Sequence, residues 1–222
     1  MTEANAAHLI RRVLIASITG TLPDEYREEA VSLLIEALAA QDEEVRGLAV
    51  MALQEIGVGA PLVLPSLIGA LRDPCEMVRK RAARAMGELS SSAIPALPHL
   101  TAGLQDSSIA VQLECVATIG RIGPDAEAAL PNLFVFLLEP DIRVRTVVSA
   151  SIRKMGPAAV SYALAMLLDA EPLMRERACD LLGQIGCLDD SVVEALLEAC
   201  TDNEPEVREN ARRALDRLQQ NH

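Results

Sequence analysis

The chain has 222 residues, half of them hydrophobic, but only 2% are aromatic and none is Trp. A core of Ala, Leu, Ile and Val suits closely packed helices and argues against a β-sandwich, which uses aromatic and β-branched residues on short strands. The formal net charge is −12. Phosphate backbones and anionic membrane surfaces repel an acidic chain, so we expect neither nucleic acid nor a membrane as the partner.

The first predicted element is an N-terminal capping helix over residues 1–22. Its apolar stretch is interrupted by Arg11 and Arg12 and ends at Gly20. Such a stretch is too short and too interrupted for a signal peptide or a membrane-spanning helix. The five Cys form no C-x-x-C pair and are odd in number, which favours free thiols in a reducing compartment. We therefore predict a cytoplasmic protein.

After the capping helix, a dipeptide that is Val-Arg in most copies recurs at steps of 33 residues, with one step of 30. The six copies begin at Val45, Val78, Val111, Val144, Met174 and Val207. We call the first residue of each copy the anchor. Positions four, eight and eleven residues after the anchor are small or apolar, and these offsets lie on one face of a helix. Twelve residues after the anchor, Gly57, Gly123, Gly156 and Gly186 stand where a left-handed residue ends a helix.

A shorter helix precedes each anchor, and a polar turn joins the two helices. Leu-Pro opens this first helix in three copies, at Leu64, Leu97 and Leu130. Each unit is therefore a first helix, a turn, a second helix and a link that usually contains Gly. The predicted units cover residues 24–60, 61–93, 94–126, 127–156, 157–189 and 190–222, within one domain over 1–222. The predicted fold is all-α, an α-α superhelix (α-solenoid) of about six helical hairpins.

The segments 64–90 and 122–145 resemble the bacterial HEAT-like repeat that is named after phycobilisome lyases. The resemblance extends over about residues 24–219. It implies an armadillo-like helical array in a bacterial protein, built of HEAT-like hairpins. HEAT arrays include scaffolds, adaptors, lyase subunits and hydroxylases, so the resemblance defines a fold and not an activity.

An acidic residue stands six positions before most of the Arg residues that follow the anchors. The pairs are Asp73 and Arg79, Glu139 and Arg145, Asp169 and Arg175, and Asp202 and Arg208, while Asp106 stands before Gln112. Such pairs could serve acid–base chemistry. We interpret them as a ladder that fixes turns to neighbouring repeats, in which the carboxylates also accept hydrogen bonds from N–H groups at the start of the following helix.

The residue types that carry catalysis are scattered. His8, His99 and His222 share no helical face, and no His-Glu dipeptide occurs, unlike the di-iron hydroxylases of similar architecture. Cys115, Cys179 and Cys200 fall at or beside core positions of the repeat. Cys75 and Cys187 fall in turns with no titratable base beside them. We expect no metal, no cofactor and no catalytic residue, and therefore a protein that is not an enzyme.

The resemblance leaves one enzymatic alternative, a subunit of a phycobilin lyase-type enzyme or a chromophore-handling factor. Lyases of this repeat class hold a bilin in a pocket that commonly uses aromatic and charged residues. This chain has only Tyr26, Phe134, Phe136 and Tyr162 to offer. That inventory favours a non-catalytic protein–protein interaction scaffold or adaptor.

The partner-binding surface can be predicted from helix geometry. At 100° per residue, positions −1, +2, +6 and +9 from the anchor point away from the core. They carry an apolar strip with cations beside it, which suits a concave groove that binds an amphipathic, acidic-flanked segment of another protein. The candidate residues are Met51, Met77, Lys80, Arg81, Arg84, Leu113, Ala117, Ala150 and Arg153.

The first helices present a second candidate surface on the convex side. One outward column reads Glu36, Gly69, Ala102, Val135, Ala165 and Glu198, and Phe136 belongs to the column beside it. Charge is confined to the ends of the outward column. An apolar band through the middle repeats could form an interface, so a homo-oligomer through Val135 and Phe136 stays open as an alternative.

Overall fold

The computed structural model describes residues 3–56, 60–139 and 141–220, excluding the side chains of residues 3–6 and 60. These ranges are predominantly helical and contain no strand. The predicted helix cap Gly57 and the histidine His222 lie outside the described residues. The all-α prediction is confirmed.

The helices follow the predicted order, a capping helix and then six pairs. The helices are α1 (Glu3–Ile18), α2 (Arg27–Ala37), α3 (Glu43–Ile56), α4 (Ala60–Ala70), α5 (Glu76–Glu88), α6 (Leu97–Gly103), α7 (Ile109–Ile122), α8 (Leu130–Phe136), α9 (Ile142–Arg153), α10 (Pro157–Met166), α11 (Pro172–Ile185), α12 (Asp190–Ala199) and α13 (Pro205–Gln220). Short 3₁₀ segments precede α2, α6 and α8, at Asp24–Tyr26, Ser90–Ala96 and Gly123–Ala129.

The chain divides into two compact units, residues 1–122 and 123–222. The first unit contains α1 and three helix pairs, and the second contains the other three pairs. The second helices α3, α5 and α7 pack along one another in the first unit, as α11 and α13 do in the second. The first helices contact one another much less. We infer that, within each unit, the second helices line the more closely packed, concave side.

The core of each hairpin lies where the repeat pattern places it. Four residues after the anchor, all six side chains are completely buried, with 0% exposure. They are Ala49, Ala82, Cys115, Val148, Ala178 and Ala211. All six are Ala, Cys or the similarly compact Val, so the two helices of a hairpin can approach closely at this level. The link glycines Gly123, Gly156 and Gly186 all have positive φ, at +81°, +65° and +72°. Gly186 has the left-handed helical conformation predicted for a residue that ends a helix, whereas Gly156, with ψ of −135°, does not.

The prediction that position +9 points away from the core is wrong for Gly87, Gly120 and Gly183, which are buried. A Cβ atom at Gly183 would lie 2.8 Å from the Cα atom of Ala214 on the next second helix. A Cβ atom at Gly87 would lie 2.5 Å from Nη1 of Arg121. Helix periodicity shows which residues point away from the partner helix of the same hairpin, but not which of them contact the next hairpin. At Gly87 and Gly183, position +9 contacts the adjacent second helix.

Each described rung of the ladder joins an Arg to the turn of the next repeat. Arg46 donates from Nε and Nη2 to the two carboxylate oxygens of Asp73, at 2.6 and 2.9 Å. Its Nη1 donates to the carbonyl oxygens of Ala40 and Gln41 in its own turn, at 2.9 and 2.7 Å. The Asp73 carboxylate also accepts from the backbone N–H of Cys75 at 2.8 Å. One guanidinium therefore fixes two successive turns.

The same arrangement recurs further along the chain. Arg79 binds Asp106 at 2.7 and 2.8 Å, and Arg175 binds Asp202 at 2.7 and 2.9 Å. The ladder between neighbouring repeats is confirmed for Arg46, Arg79 and Arg175, each of which binds the carboxylate 27 residues after it. The predicted pairs of Arg79 with Asp73, Arg175 with Asp169 and Arg208 with Asp202 are wrong as side-chain pairs, because each of these Arg binds the backbone carbonyl of that acidic residue. Arg79, for example, donates from Nη1 to the backbone carbonyl oxygen of Asp73, six positions before it, at 2.9 Å. The hydrogen bonds from Arg175 lower the pKa of Asp202, against the opposing effect of burial.

Two Gly→Ala substitutions should have opposite effects on stability. Gly183→Ala should lower the free energy of unfolding by about 1–3 kcal/mol, because its methyl group would overlap the backbone of α13. Gly69→Ala, in α4 with no atom within 4 Å of the added Cβ, should raise it by about 0.5–1 kcal/mol. Urea unfolding followed by circular dichroism measures both. Equal effects of the two substitutions would contradict the contact between α11 and α13.

The ladder should also make stability depend on pH in the acid range. Because the pKa of Asp202 is lowered on folding, its contribution is complete above the ordinary carboxyl pKa of about 3.9 and is lost as the pH falls through the lower folded value. Asp202→Asn should therefore cost most near neutral pH, and the difference in unfolding free energy from wild type should shrink below about pH 4. A difference that grows in acid would contradict this assignment.

Candidate functional site

The predicted partner-binding residues are distributed over both units. In the first unit Met51 lies on α3, Leu113 and Ala117 lie on α7, and the others lie on α5. Ala150 and Arg153 lie on α9 in the second unit. Arg153 is exposed and Ala150 is half-buried. The first unit therefore contains most of the candidate surface.

The centre of the candidate surface is a stripe along α5. Met77, Lys80, Arg81 and Arg84 stand at spacings of three and four residues, so they share one face of this helix. Met77 is 51% exposed, unusually high for a large apolar side chain, and Arg84 is also exposed. Lys80 and Arg81 are half-buried. We refer to these four residues as the α5 stripe.

Arg81 also connects α5 to the helix before it. A Cβ atom at Gly47 on α3 would lie 2.5 Å from Nη1 of Arg81. Gly47 is therefore buried beneath the guanidinium and not on the outward surface where position +2 was predicted to lie. Arg81 covers the seam between α3 and α5. The charge of the stripe thus extends from α5 towards α3.

The three cations of the α5 stripe have no ion-pair partner among the described residues. Glu76 and Glu88 stand on the same helix, four residues from Lys80 and from Arg84, yet neither forms a pair there. In the same unit the cations Arg46 and Arg79 are held by ladder carboxylates. The positive charge of the stripe is therefore available to a partner.

The rest of the apolar strip is less exposed than the sequence predicts. Met51, Leu113 and Ala117 are half-buried, because adjacent second helices pack along one another and cover part of each side chain. Met77 is the large apolar side chain of the strip that reaches furthest into solvent. An apolar group of a partner would therefore meet Met77 first, with the other three forming a shallow surround.

A polar cleft of about 200 Å³ lies between α9 and α11 in the second unit, where no site was predicted. Arg177 donates from Nε to the carbonyl oxygen of Leu137 at 3.1 Å, and Gln184 donates to Asp180 at 2.7 Å. Asp180 also pairs with Arg217 at 2.7 Å. The polar groups that line the cleft largely satisfy one another. Its signal in the sequence is weak, since Thr, Ser and Gln occur at these positions without a repeating pattern.

The cysteines and the described histidines differ in burial. Burial raises the pKa of Cys115 and of Cys179 to about 12, so both are thiols near neutral pH. Cys200, predicted at a core position, is half-buried. His8 is exposed and His99 is half-buried. Among the described residues, no three His, Cys, Asp or Glu side chains lie close enough together to hold a metal ion.

The aromatic residues are mostly inside. Phe134 is buried, and its ring centroid lies 4.7 Å from that of Tyr162. Phe136 is 8% exposed, so the prediction that it contributes to a convex surface band is wrong for this side chain. Phe136 stands one residue after Val135 on α8, and its side chain is buried in the protein. Val135, in the outward column itself, is 58% exposed as predicted.

The family model for HEAT repeats matches residues 31–102 and 163–222, which together make up more than half of the chain. This chain belongs to the HEAT-repeat family. The match does not distinguish a phycobilisome-lyase type within that family. No curated protein matches the chain.

Solved structures of helical-repeat proteins are similar to this chain. A HEAT-like repeats protein from the archaeon Thermococcus onnurineus is 18% identical with a TM-score of 0.52, covering 99% of this chain and 98% of its own. A designed armadillo repeat protein in complex with the peptide (KR)4 is 21% identical with a TM-score of 0.53, covering 85% and 99%. An engineered protein is 21% identical with a TM-score of 0.52, covering 86% and 96%. At these identities the likeness concerns the fold.

In the part of the chain that the structure describes, no helix combines the length and apolar character needed to cross a membrane.

Thiol labelling tests the placement of the cysteines. In the native protein near pH 8, iodoacetamide should leave Cys115 and Cys179 unmodified, because they are buried and largely protonated. Cys75, Cys187 and Cys200, which are half-buried, should react faster. Peptide mass spectrometry after timed labelling measures each site, with urea-unfolded protein as the control in which all five react. Rapid native labelling of Cys115 would contradict its core position.

Proposed function

We propose that this protein is a non-catalytic scaffold or adaptor that binds a segment of another protein on the concave face of its first unit. The observation that carries the proposal is the α5 stripe, in which three cations that form no ion pair with any described residue adjoin the exposed apolar side chain of Met77. An exposed apolar group with unpaired charge beside it is a costly surface for a solitary domain, but it suits an interface.

The charge distribution favours an acidic partner segment. The whole chain carries −12, yet residues 61–122 contain six basic and five acidic residues. Within this region Asp73 and Asp106 are bound by ladder arginines, and Glu114 is paired with Arg121. The cations of the α5 stripe therefore dominate the local field. A segment with an apolar anchor for Met77 and Asp or Glu beside it would match both features.

Repeat proteins of this fold class support the general mode of binding. The designed armadillo repeat protein binds a basic peptide, (KR)4. The α5 stripe of this chain would instead bind an acidic peptide, because the stripe itself is positively charged. We propose that Met51, Leu113 and Ala117 complete the shallow apolar floor in the first unit. For Ala150 and Arg153, in the other unit, the prediction rests on the sequence alone.

We place the scaffold ahead of the phycobilin lyase-type subunit because the rings that would contact a bilin are few and mostly inside. Phe134 and Phe136 are buried, and Tyr162 packs against Phe134. We also propose a bacterial, cytoplasmic protein, on the repeat resemblance and on five cysteines that are all free. A homo-oligomer is proposed only through Val135, since Phe136 is inside.

Paired substitutions test the apolar anchor. Met77→Glu should weaken binding of a labelled acidic amphipathic peptide by about 1–3 kcal/mol if Met77 is an anchor, with the folding free energy nearly unchanged. Leu62→Glu is the matched control, because Leu62 is 49% exposed in the same unit but lies on a first helix. Fluorescence anisotropy measures the binding. Equal losses in both variants, or no loss in either, would exclude the α5 stripe as the site.

The charge of the stripe has its own test. Arg84→Glu should slow association with the same peptide and reduce the dependence of the rate on salt, because exposed charges act mainly on encounter. Arg212→Glu, an exposed Arg on α13 in the second unit, makes the same charge change elsewhere. Stopped-flow fluorescence at two salt concentrations separates the two variants. The proposal fails if Arg212→Glu has as large an effect as Arg84→Glu.

A further inference from the structure

The first-helix side of the second unit carries an open groove that the proposed function does not use. It lies between α10 and α12, has a volume of about 440 Å³, and is lined on its apolar side by Leu164, Leu167, Leu168, Ala195 and Ala199. Leu168 is 82% exposed although it lines this groove. The volume falls within the range of about 300–1,000 Å³ typical of ligand sites, but the exposed Leu168 shows an open wall. An open groove suits a side chain of a peptide better than an enclosed small molecule.

The chain segment that carries the groove is strongly acidic. Residues 155–207 contain eleven Asp or Glu and two Arg. Both of these Arg are already in ion pairs, Arg175 with Asp202 at 2.7 Å and Arg177 with Glu176 at 2.8 Å. Helix α10 contains no charged residue at all. A partner that approaches this surface therefore meets apolar groups and negative charge, with no exposed cation from this segment.

Two carboxylates on α12 define where that charge is concentrated. Glu198 lines the groove, and Glu194 stands one turn before it on the same helix. Both are exposed, and neither has an ion-pair partner among the described residues. Like charges four residues apart destabilise a helix by a few tenths of a kcal/mol. A cation from a partner placed between them would relieve this repulsion.

We propose that the groove between α10 and α12 binds a short segment of a partner protein in which a large apolar side chain is flanked by Lys or Arg. The apolar side chain lies against Leu164, Leu167 and Leu168, and the flanking cation pairs with Glu194 and Glu198. The carboxylate of Asp202, at the end of the groove, is taken by Arg175 and adds little net charge. This second surface has the opposite charge preference to the α5 stripe, and it does not depend on that site.

The first unit contains the same repeat position with different residues, which makes an internal comparison possible. Between α4 and α6 the equivalent groove has a volume of about 200 Å³. Arg72 stands there in the place of Leu168, and Ala102 in the place of Glu198. The groove between α4 and α6 therefore lacks both the exposed apolar wall and the acidic rim. The combination is specific to the second unit and is not required by the fold.

The test replaces each residue with its counterpart from the first unit. Leu168→Arg and Glu198→Ala introduce residues that the same structural position accepts elsewhere in this chain, so both variants should fold, which thermal unfolding checks. The probe is the fluorescein-labelled peptide Lys-Arg-Leu-Leu-Arg-Lys, measured by anisotropy against the full chain. Each variant should bind it about tenfold more weakly than wild type, the change expected from losing one interface anchor or its charge partner.

Two control peptides separate charge from apolar contact. Glu-Glu-Leu-Leu-Glu-Glu and Lys-Arg-Gly-Gly-Arg-Lys should both bind more weakly at this groove than the first probe. Binding of the basic peptide that is unchanged in Leu168→Arg and in Glu198→Ala would overturn the proposal. Preference for the acidic peptide, lost in these variants, would overturn it as well. Arg212→Glu, on α13 and in neither surface, should leave binding of the basic peptide unchanged. The α5 stripe is tested with the acidic amphipathic peptide and the groove with the basic one, so failure of one proposal is distinguishable from failure of the other.

A second copy of the chain is the rival occupant, because its α5 stripe also presents Met77 with cations. Analytical ultracentrifugation of wild type over a range of concentrations addresses this directly. The proposal expects no self-association that depends on the groove. Self-association that is abolished both by Leu168→Arg and by Arg84→Glu would identify the occupant as a second copy and overturn the assignment to a different partner.

Discussion

The bidentate contact between an Arg and the Asp of the next turn is the constraint on which the arrangement of hairpins within each unit depends. Apolar packing at the buried column of Ala49 and its counterparts is strong but non-directional, and it would tolerate small rotations between hairpins. The guanidinium adds direction, because it binds the carbonyl groups of its own turn and the carboxylate of the next turn at once. Each carboxylate in turn holds a backbone N–H of its own turn.

A fixed spacing of this kind leaves the outer positions of the repeat free to differ. Leu168 and Arg72 occupy the same position in two units, one making an exposed apolar wall and the other a charged rim. The α5 stripe uses another set of free positions, and it carries the opposite charge from the groove beside α12. Residues that the fold does not need are free to determine binding specificity, and both proposed surfaces are made of such residues.

The sequence predicts the features that repeat and misses those that depend on neighbouring hairpins. The helix pairs and the buried column four residues after the anchor follow from spacing alone, since each is formed in the same way in several copies. Spacing also indicates a ladder of Arg and acidic residues, but not that each Arg binds the carboxylate of the next hairpin, 27 residues after it. The burial of Gly87, Gly183 and Phe136 cannot be predicted from spacing, because it depends on how adjacent helices pack against each other. The exposure of Leu168 was missed for a related reason, as a Leu at the end of an apolar helix is normally assigned to the core.

A double-mutant cycle on Arg79 and Asp106 tests the role of the ladder most directly. The single variants Arg79→Ala and Asp106→Ala and the double variant give the coupling free energy of this pair, separate from other contacts of either residue. A bidentate, largely buried pair should show about 1.5–3 kcal/mol, whereas the exposed pair Arg213 and Glu209 should show about 0.3–0.5 kcal/mol. Urea unfolding supplies both values. A coupling for Arg79 and Asp106 no larger than that of the exposed pair would contradict the account.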